Sequence, residues 1–224
     1  MALRDLARRA RDGARDQLIR QEARKLHFAD PRLEALRVAL RVPAAGADAR
    51  CARIEARRAE LEAATDVTAR PVASPDQGRL LYRLVVALGP HRCLALGPSA
   101  GIPGAYLGAG LEQRGTGRLV TLEGREAEAL PDVLADLGEV HLAVVGGQQA
   151  HAPTLAAFAA ILERAVPGTV LVLDDVAHDG VARAWREIRE HPRVTGSLTI
   201  GPVGFAVVDG VPDAHAELAG LALW

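Results

Sequence analysis

The stretch Arg92–Gly124, RCLALGPSAGIPGAYLGAGLEQRGTGRLVTLEG, decides the fold of this chain. Cys93–Leu96 is a short apolar run ended by Gly97, too brief for a helix, so it predicts a buried parallel strand. Gly97, Gly101 and Gly104 follow. Glycines at this spacing let the backbone turn tightly and let a ligand come close, while a helix over about Ile102–Gln113 aims unpaired N–H groups at the same place. Gly115 and Gly117 break that helix, and Arg118–Leu122 is the next strand. It runs into Glu123, an acid at the carboxyl edge of a second strand, roughly 20 residues beyond the turn as a ribose-binding acid should be. The pattern is that of a nucleotide site.

Upstream, Leu3, Leu6, Ala10, Ala14 and Leu18 recur at helical spacing. Asp30-Pro31 is a helix start with proline at the first position; Leu33, Leu36, Val38 and Leu40 give it an apolar side, and Val42-Pro43 stops it. Ala44–Ala49 is a small-residue linker, and the chain is helical again to about Ala64. These helices either cover the main sheet or pair between subunits, which divides the chain into a helical extension, 1–70, and an α/β domain, 71–224. Pro71–Gly78 reads as a loop and Gly78–Leu88 as a strongly apolar helix. Ser74, Asp76 and Gln77 either cap that helix or roof a ligand.

Downstream, EALPDVLADLG is one helix, His141–Val145 a strand and Ala152–Ala165 an alanine-rich helix that leaves through a Pro167-Gly168 turn. Thr169–Leu173 is a buried strand ending in Asp174-Asp175, at the carboxyl end where open α/β sheets place their sites. His178, four residues past Asp174, is the candidate general base near neutral pH; His151 is a second histidine close to the same edge. The helix Val181–Glu190 packs Trp185 on the sheet, Val194–Ile200 and Val203–Val208 form a strand pair, and the short apolar tail Ala214–Trp224 packs into a groove or on a partner.

The turn Ala95–Gly104 and the Thr121-Leu122-Glu123-Gly124 strand end resemble motif I and the following acidic strand of class I S-adenosylmethionine (SAM)-dependent methyltransferases, in the small-molecule O-methyltransferase branch. RLLYRLVVAL before the first strand and AWREIREHPRV after the last acid extend the likeness to about two thirds of the chain. The resemblance implies a three-layer Rossmann-like sheet, mostly parallel with an antiparallel C-terminal strand pair. It implies SAM held by Gly97, Ser99, Gly101 and Glu123, and a small-molecule acceptor near Asp175 and His178. Where members of this family continue with helix, strand and helix after the acidic strand, this chain has room for one helix, so one edge strand is expected to be missing. Positions that carry acids in the family hold Ala95, His141 and Gly146 here. Asp174 is therefore half of a metal site whose other half is glycine, and no divalent metal is expected. Contacts of this kind are worth about 1–3 kcal/mol each when charged groups are involved, so their loss favours a degenerate site and, as the alternative, a non-catalytic binding or scaffolding subunit. A nicotinamide-dependent oxidoreductase also wants glycines and a strand-end acid, but the C-terminal segments match it less well.

Composition agrees with a buried core and excludes several classes. Half of the residues are hydrophobic, and the net charge of −1 draws the chain to neither nucleic acid nor membrane. The charge is uneven, about +5 through Arg70 and −6 beyond. No aromatics interleave the arginines of the basic arm, which reads as a solvated face or a contact between subunits or with a protein partner. Cys51 and Cys93 are too few for a disulfide framework or a metal site, and the N-terminus lacks the apolar run of a signal peptide, so a cytoplasmic protein is expected.

Overall fold

The computed structural model describes residues 17–41, 49–57, 60, 74–97, 100–123, 126–146 and 150–218. Seven strands form one sheet: β1 (Arg92–Leu96), β2 (Arg118–Leu122), β3 (Val140–Val145), β4 (Ala165–Leu173), β5 (Val194–Ile200), β6 (Val203–Val208) and β7 (His215–Leu218). Their order across the sheet is β2-β1-β3-β4-β6-β5-β7. β6 runs antiparallel to both of its neighbours and the remaining pairs are parallel, which is the expected sheet. Among the described residues no strand pairs with the outer side of β2, where the missing strand was expected.

Alternation along the strands builds two cores. On one face Cys93, Ala95, Leu142, Val144, Val170, Val172 and Phe205 meet helices α1 (Pro31–Arg41), α3 (Pro75–Leu88) and α4 (Gly101–Arg114). On the other, Leu94, Leu96, Ala143, Val145, Leu171 and Leu173 meet α5 (Glu126–Leu137), α6 (His151–Leu162) and α7 (Asp179–Glu190). A further helix, α2 (Ala49–Ala56), packs Cys51 with Tyr82, Ile102 and Tyr106, and its Glu55 makes two bonds of 2.6 and 2.7 Å to Arg79 of α3. The first of the two readings for the N-terminal helices holds for α1: Leu33, Leu36, Ala39 and Leu40 share the core of the sheet. Buried Asp30 opens α1 by accepting the Arg32 N–H at 2.7 Å, and its second oxygen takes the Val211 N–H at 2.8 Å, which ties the helix to the loop after β6.

Three local expectations are corrected. Pro167-Gly168 lies inside β4, and the turn falls at Glu163-Arg164. The irregularity opposite Val140–Leu142 is held by the buried Thr169 hydroxyl, which accepts the Val166 N–H at 2.9 Å and lies 2.6 Å from the Val140 carbonyl. α3 begins at Pro75, not Gly78, because Ser74 caps it by accepting the Gln77 N–H at 3.2 Å. Within the tail, His215–Leu218 forms an edge strand on β5; Trp224 and the rest of the expected N-terminal helix lie outside the described residues. Trp185 packs as expected, buried against Gly204 with its indole N–H donated to Thr199 Oγ1 at 3.0 Å.

Candidate functional site

β1 lies between β2 and β3, so the chain passes to one side of it through α4 and returns to the other through α5. That reversal is a topological switch point, and the carboxyl ends of β1 and β3 beside it are the usual ligand position in an open α/β sheet. The ladder extends one residue past the strand ends: the Gly97 N–H donates to the Leu122 carbonyl (3.1 Å), Gly146 to Leu96 (2.9 Å) and Asp174 to Val145 (3.0 Å). Glu123, Gly97, Gly146 and Asp174 thereby form one row along the edge, acid, glycine, glycine, acid.

The glycine-rich turn is built around that row. Gly97 has φ +128°, and a Cβ there would stand 2.0 Å from the Gly146 carbonyl oxygen, so the backbone of the neighbouring strand demands glycine. α4 starts at Ala100 with no side-chain cap; instead Glu123 Oε1 accepts the Gly101 N–H and satisfies one of the unpaired donors of the helix start. Gly104 brings α4 down on β2, since a Cβ would lie 2.9 Å from Thr121 Oγ1. Glu123 is exposed just past the carboxyl end of β2. Ser99, the fourth expected cofactor contact, lies outside the described residues.

At the other end of the row, burial pushes the Asp174 carboxyl above the usual carboxylate range, opposed by hydrogen bonds from the Asp175 backbone and the Gln77 side chain. The Asp175 N–H donates to Asp174 Oδ1 at 2.9 Å. Asp175 itself holds φ +59°, a left-handed conformation uncommon for a residue with a side chain. Its carbonyl accepts the His178 N–H at 2.9 Å, closing a turn that presents His178 at the start of α7. The Nδ1 atom of His178 is buried with no hydrogen-bond partner. His151 is engaged elsewhere, its Nε2 2.6 Å from Glu187 Oε1 of α7. Gln77, almost fully buried, is the contact that sequence reading did not resolve: Ser74 proves to be the helix cap, and Gln77 reaches the edge of the sheet. A glutamine one turn into an apolar helix carries no signal for that reach.

These donors do not fit a divalent ion. Asp174 is already hydrogen-bonded from two sides, its neighbour on β3 is Gly146, and among the described residues no three His, Cys, Asp or Glu side chains gather. Cys93, buried in β1, has its thiol pushed up to about 12 by desolvation and is inert as a ligand.

No family model matches the sequence, and no curated protein matches it significantly. Solved structures do. An O-methyltransferase from Bacillus cereus in complex with SAH has a TM-score of 0.55 and 21% identity, over 73% of this chain and 92% of that one. Cofactor-bound Rv0187 from MTB has a TM-score of 0.55 at 20% identity, over 74% and 92%. A protein from Corynebacterium glutamicum follows at 0.52 and 19%, over 74% and 92%. The chain has the O-methyltransferase fold. Within that fold the row from Glu123 to Asp174 occupies the carboxyl edge of the sheet, and His178 stands at the first helix after it. Among the described residues no helix is long and apolar enough to cross a membrane.

Proposed function

We propose that this protein binds SAM between the turn after β1 and the end of β2, and that it is a small-molecule O-methyltransferase whose acceptor side has lost the acids of a metal-assisted enzyme. The observation that carries the reading is the Glu123 carboxylate, exposed beside Gly97 at the switch point of the sheet and oriented by the Gly101 N–H. A carboxylate there suits the two hydroxyls of a ribose. Two proteins of the same fold, one in complex with SAH and one cofactor-bound, support the choice of ligand.

When bound, SAM supplies a methyl group already activated on sulfur. The task of the chain is to hold the adenosyl end through Gly97, Ser99, Gly101 and Glu123 and to align an acceptor hydroxyl. His178 holds the proton that the hydroxyl gives up: it follows Asp174 by four residues at the start of α7, and its unpartnered Nδ1 leaves it hydrogen-bonding capacity. Asp175 sets the position of His178 through the turn that links them. Titration with S-adenosylhomocysteine gives saturable binding in this reading, weakened about tenfold or more by Glu123→Ala. Absence of heat at millimolar ligand refutes it.

A second reading, a non-catalytic subunit that keeps the fold for binding or scaffolding, is favoured by Gly146, which stands beside Asp174 where a second acid would be needed. In that case a stable complex with a partner protein survives Glu123→Ala and is lost on changes to the exposed side of α1, such as Val38→Glu.

A further inference from the structure

We infer that the free edge of β2 docks a second copy of this chain, the two β2 strands pairing antiparallel about a two-fold axis at Val120 so that one sheet runs through both copies. The inference does not depend on the cofactor reading. β2 is the outer strand at its end of the sheet, and among the described residues none pairs with its far side. The bonds it makes fix the direction of its backbone groups: the Arg118 N–H donates to the His91 carbonyl and the Leu122 carbonyl accepts the Gly97 N–H, both toward β1. Successive residues of a strand aim these groups to opposite sides, so the N–H and C=O of Leu119 and Thr121 point outward, a template for another strand. β2 lacks the usual protection of an edge. Its register on β1 is unbroken over Arg118–Leu122, it holds no proline, and its one charge is at its first residue. The opposite edge, β7, is four residues long, follows Pro212 and exposes His215 and Glu217.

Self-complementarity makes a second copy the partner. With the axis at Val120, Leu119 of each copy lies opposite Thr121 of the other, and these are the residues whose backbone groups face outward, so each such pair exchanges both N–H···O bonds. Val120 meets Val120 across the axis, on the face where it, Leu122 and Val133 are half-buried at the border of the α5 core. Charge agrees. Arg118 of one copy falls opposite Leu122 of the other, at the end where α5 begins; that helix, EAEALPDVLADL, carries four acids and no base, and Glu128 in its first turn is exposed. The Arg118 side chain, 51% exposed, already bonds Asp136 in the last turn of its own α5, so the pairing sets a cation between the acidic helices of both copies. An in-register parallel pairing would instead set Arg118 beside Arg118.

The test is sedimentation equilibrium of the full chain, joined to cross-linking. Thr121→Pro removes an outward N–H while leaving the bonds to β1 in place, and Val120→Cys puts a thiol on the axis, about 4.5 Å Cα to Cα from its copy and within disulfide reach. Native Cys51 and Cys93 are buried and stay out of the exchange. The expected wild type has twice the chain mass of 23.6 kDa at micromolar concentration. Thr121→Pro should weaken the dimer by about tenfold or more with unchanged circular dichroism. Under oxidised glutathione Val120→Cys should form a disulfide-linked dimer, and Leu119→Cys should link far more slowly, because Leu119 faces Thr121 and not itself. A wild-type monomer overturns the inference, and so does a dimer in which Val120→Cys fails to link. If Thr121→Pro does not fold, the contrast between cross-linking at positions 120 and 119 decides alone.

Discussion

Gly97 and Gly115 both have positive φ, yet their surroundings predict different costs for alanine. At Gly115 (φ +72°) a Cβ meets nothing within 4 Å, so Gly115→Ala pays for conformation alone, about 1 kcal/mol. At Gly97 the Cβ would overlap the Gly146 carbonyl, and Gly97→Ala should cost about 3 kcal/mol or more by urea denaturation. Spacing in the sequence reveals that a side chain is excluded at 97, 101 and 104 but not what excludes it. Ligand approach was the reason read at Gly97; the adjacent strand and, at Gly104, the Thr121 hydroxyl are the reasons found. Asp174 carries a pH prediction. Its folded pKa is raised, so between the ordinary aspartate value of 3.8 and the raised value the folded state binds more protons than the unfolded, and stability falls as pH rises through that window. Asp174→Asn removes the charge and keeps an acceptor for the Asp175 N–H. The melting temperature of the variant relative to wild type should therefore be higher at pH 7.5 than at pH 4; a difference independent of pH contradicts the buried carboxyl.

At the scale of elements, the helices whose signals are local were legible and those set by distant partners were not. Asp30-Pro31 announces α1 because capping is settled within three residues, and the carboxylate does accept the Arg32 N–H. Nothing nearby in sequence announces that its other oxygen holds the Val211 N–H, 181 residues away. Asp30→Ala should therefore cost more than a surface cap: two N–H groups lose their acceptor around a buried side chain, about 2–4 kcal/mol in chemical denaturation. A loss near 1 kcal/mol indicates a cap and no more. β7 was missed for the same reason. His215–Leu218 is four residues long, and its strand character comes from the β5 edge beside it rather than from alternation of its own. Pro167-Gly168 misled because it is a turn signal in isolation, while Thr169 supplies the hydrogen bonds that let the pair sit within β4.

For the molecule as a whole, the lack of a strand outside β2 among the described residues was legible from chain length alone, since the interval between β2 and β3 has room for a single helix. The relation of the N-terminal helices to the sheet was not, because an amphipathic stripe says that a face is buried without saying against what. Leu33, Leu36 and Leu40 lie in one core with Leu84, Val172 and Phe205, on the face opposite Trp185. Without α1 that face exposes a row of strand and α3 side chains, each worth about 1.5–3 kcal/mol when buried. The helical stretch and the sheet should thus unfold as one unit. In a Trp224→Phe background Trp185 is the remaining tryptophan and reports the opposite layer. Its fluorescence and the far-ultraviolet circular dichroism should then trace the same guanidinium transition. An early loss of helical signal with Trp185 unchanged would make α1 an independent attachment, and a chain beginning at residue 71 would then fold alone; coincident transitions predict that it does not.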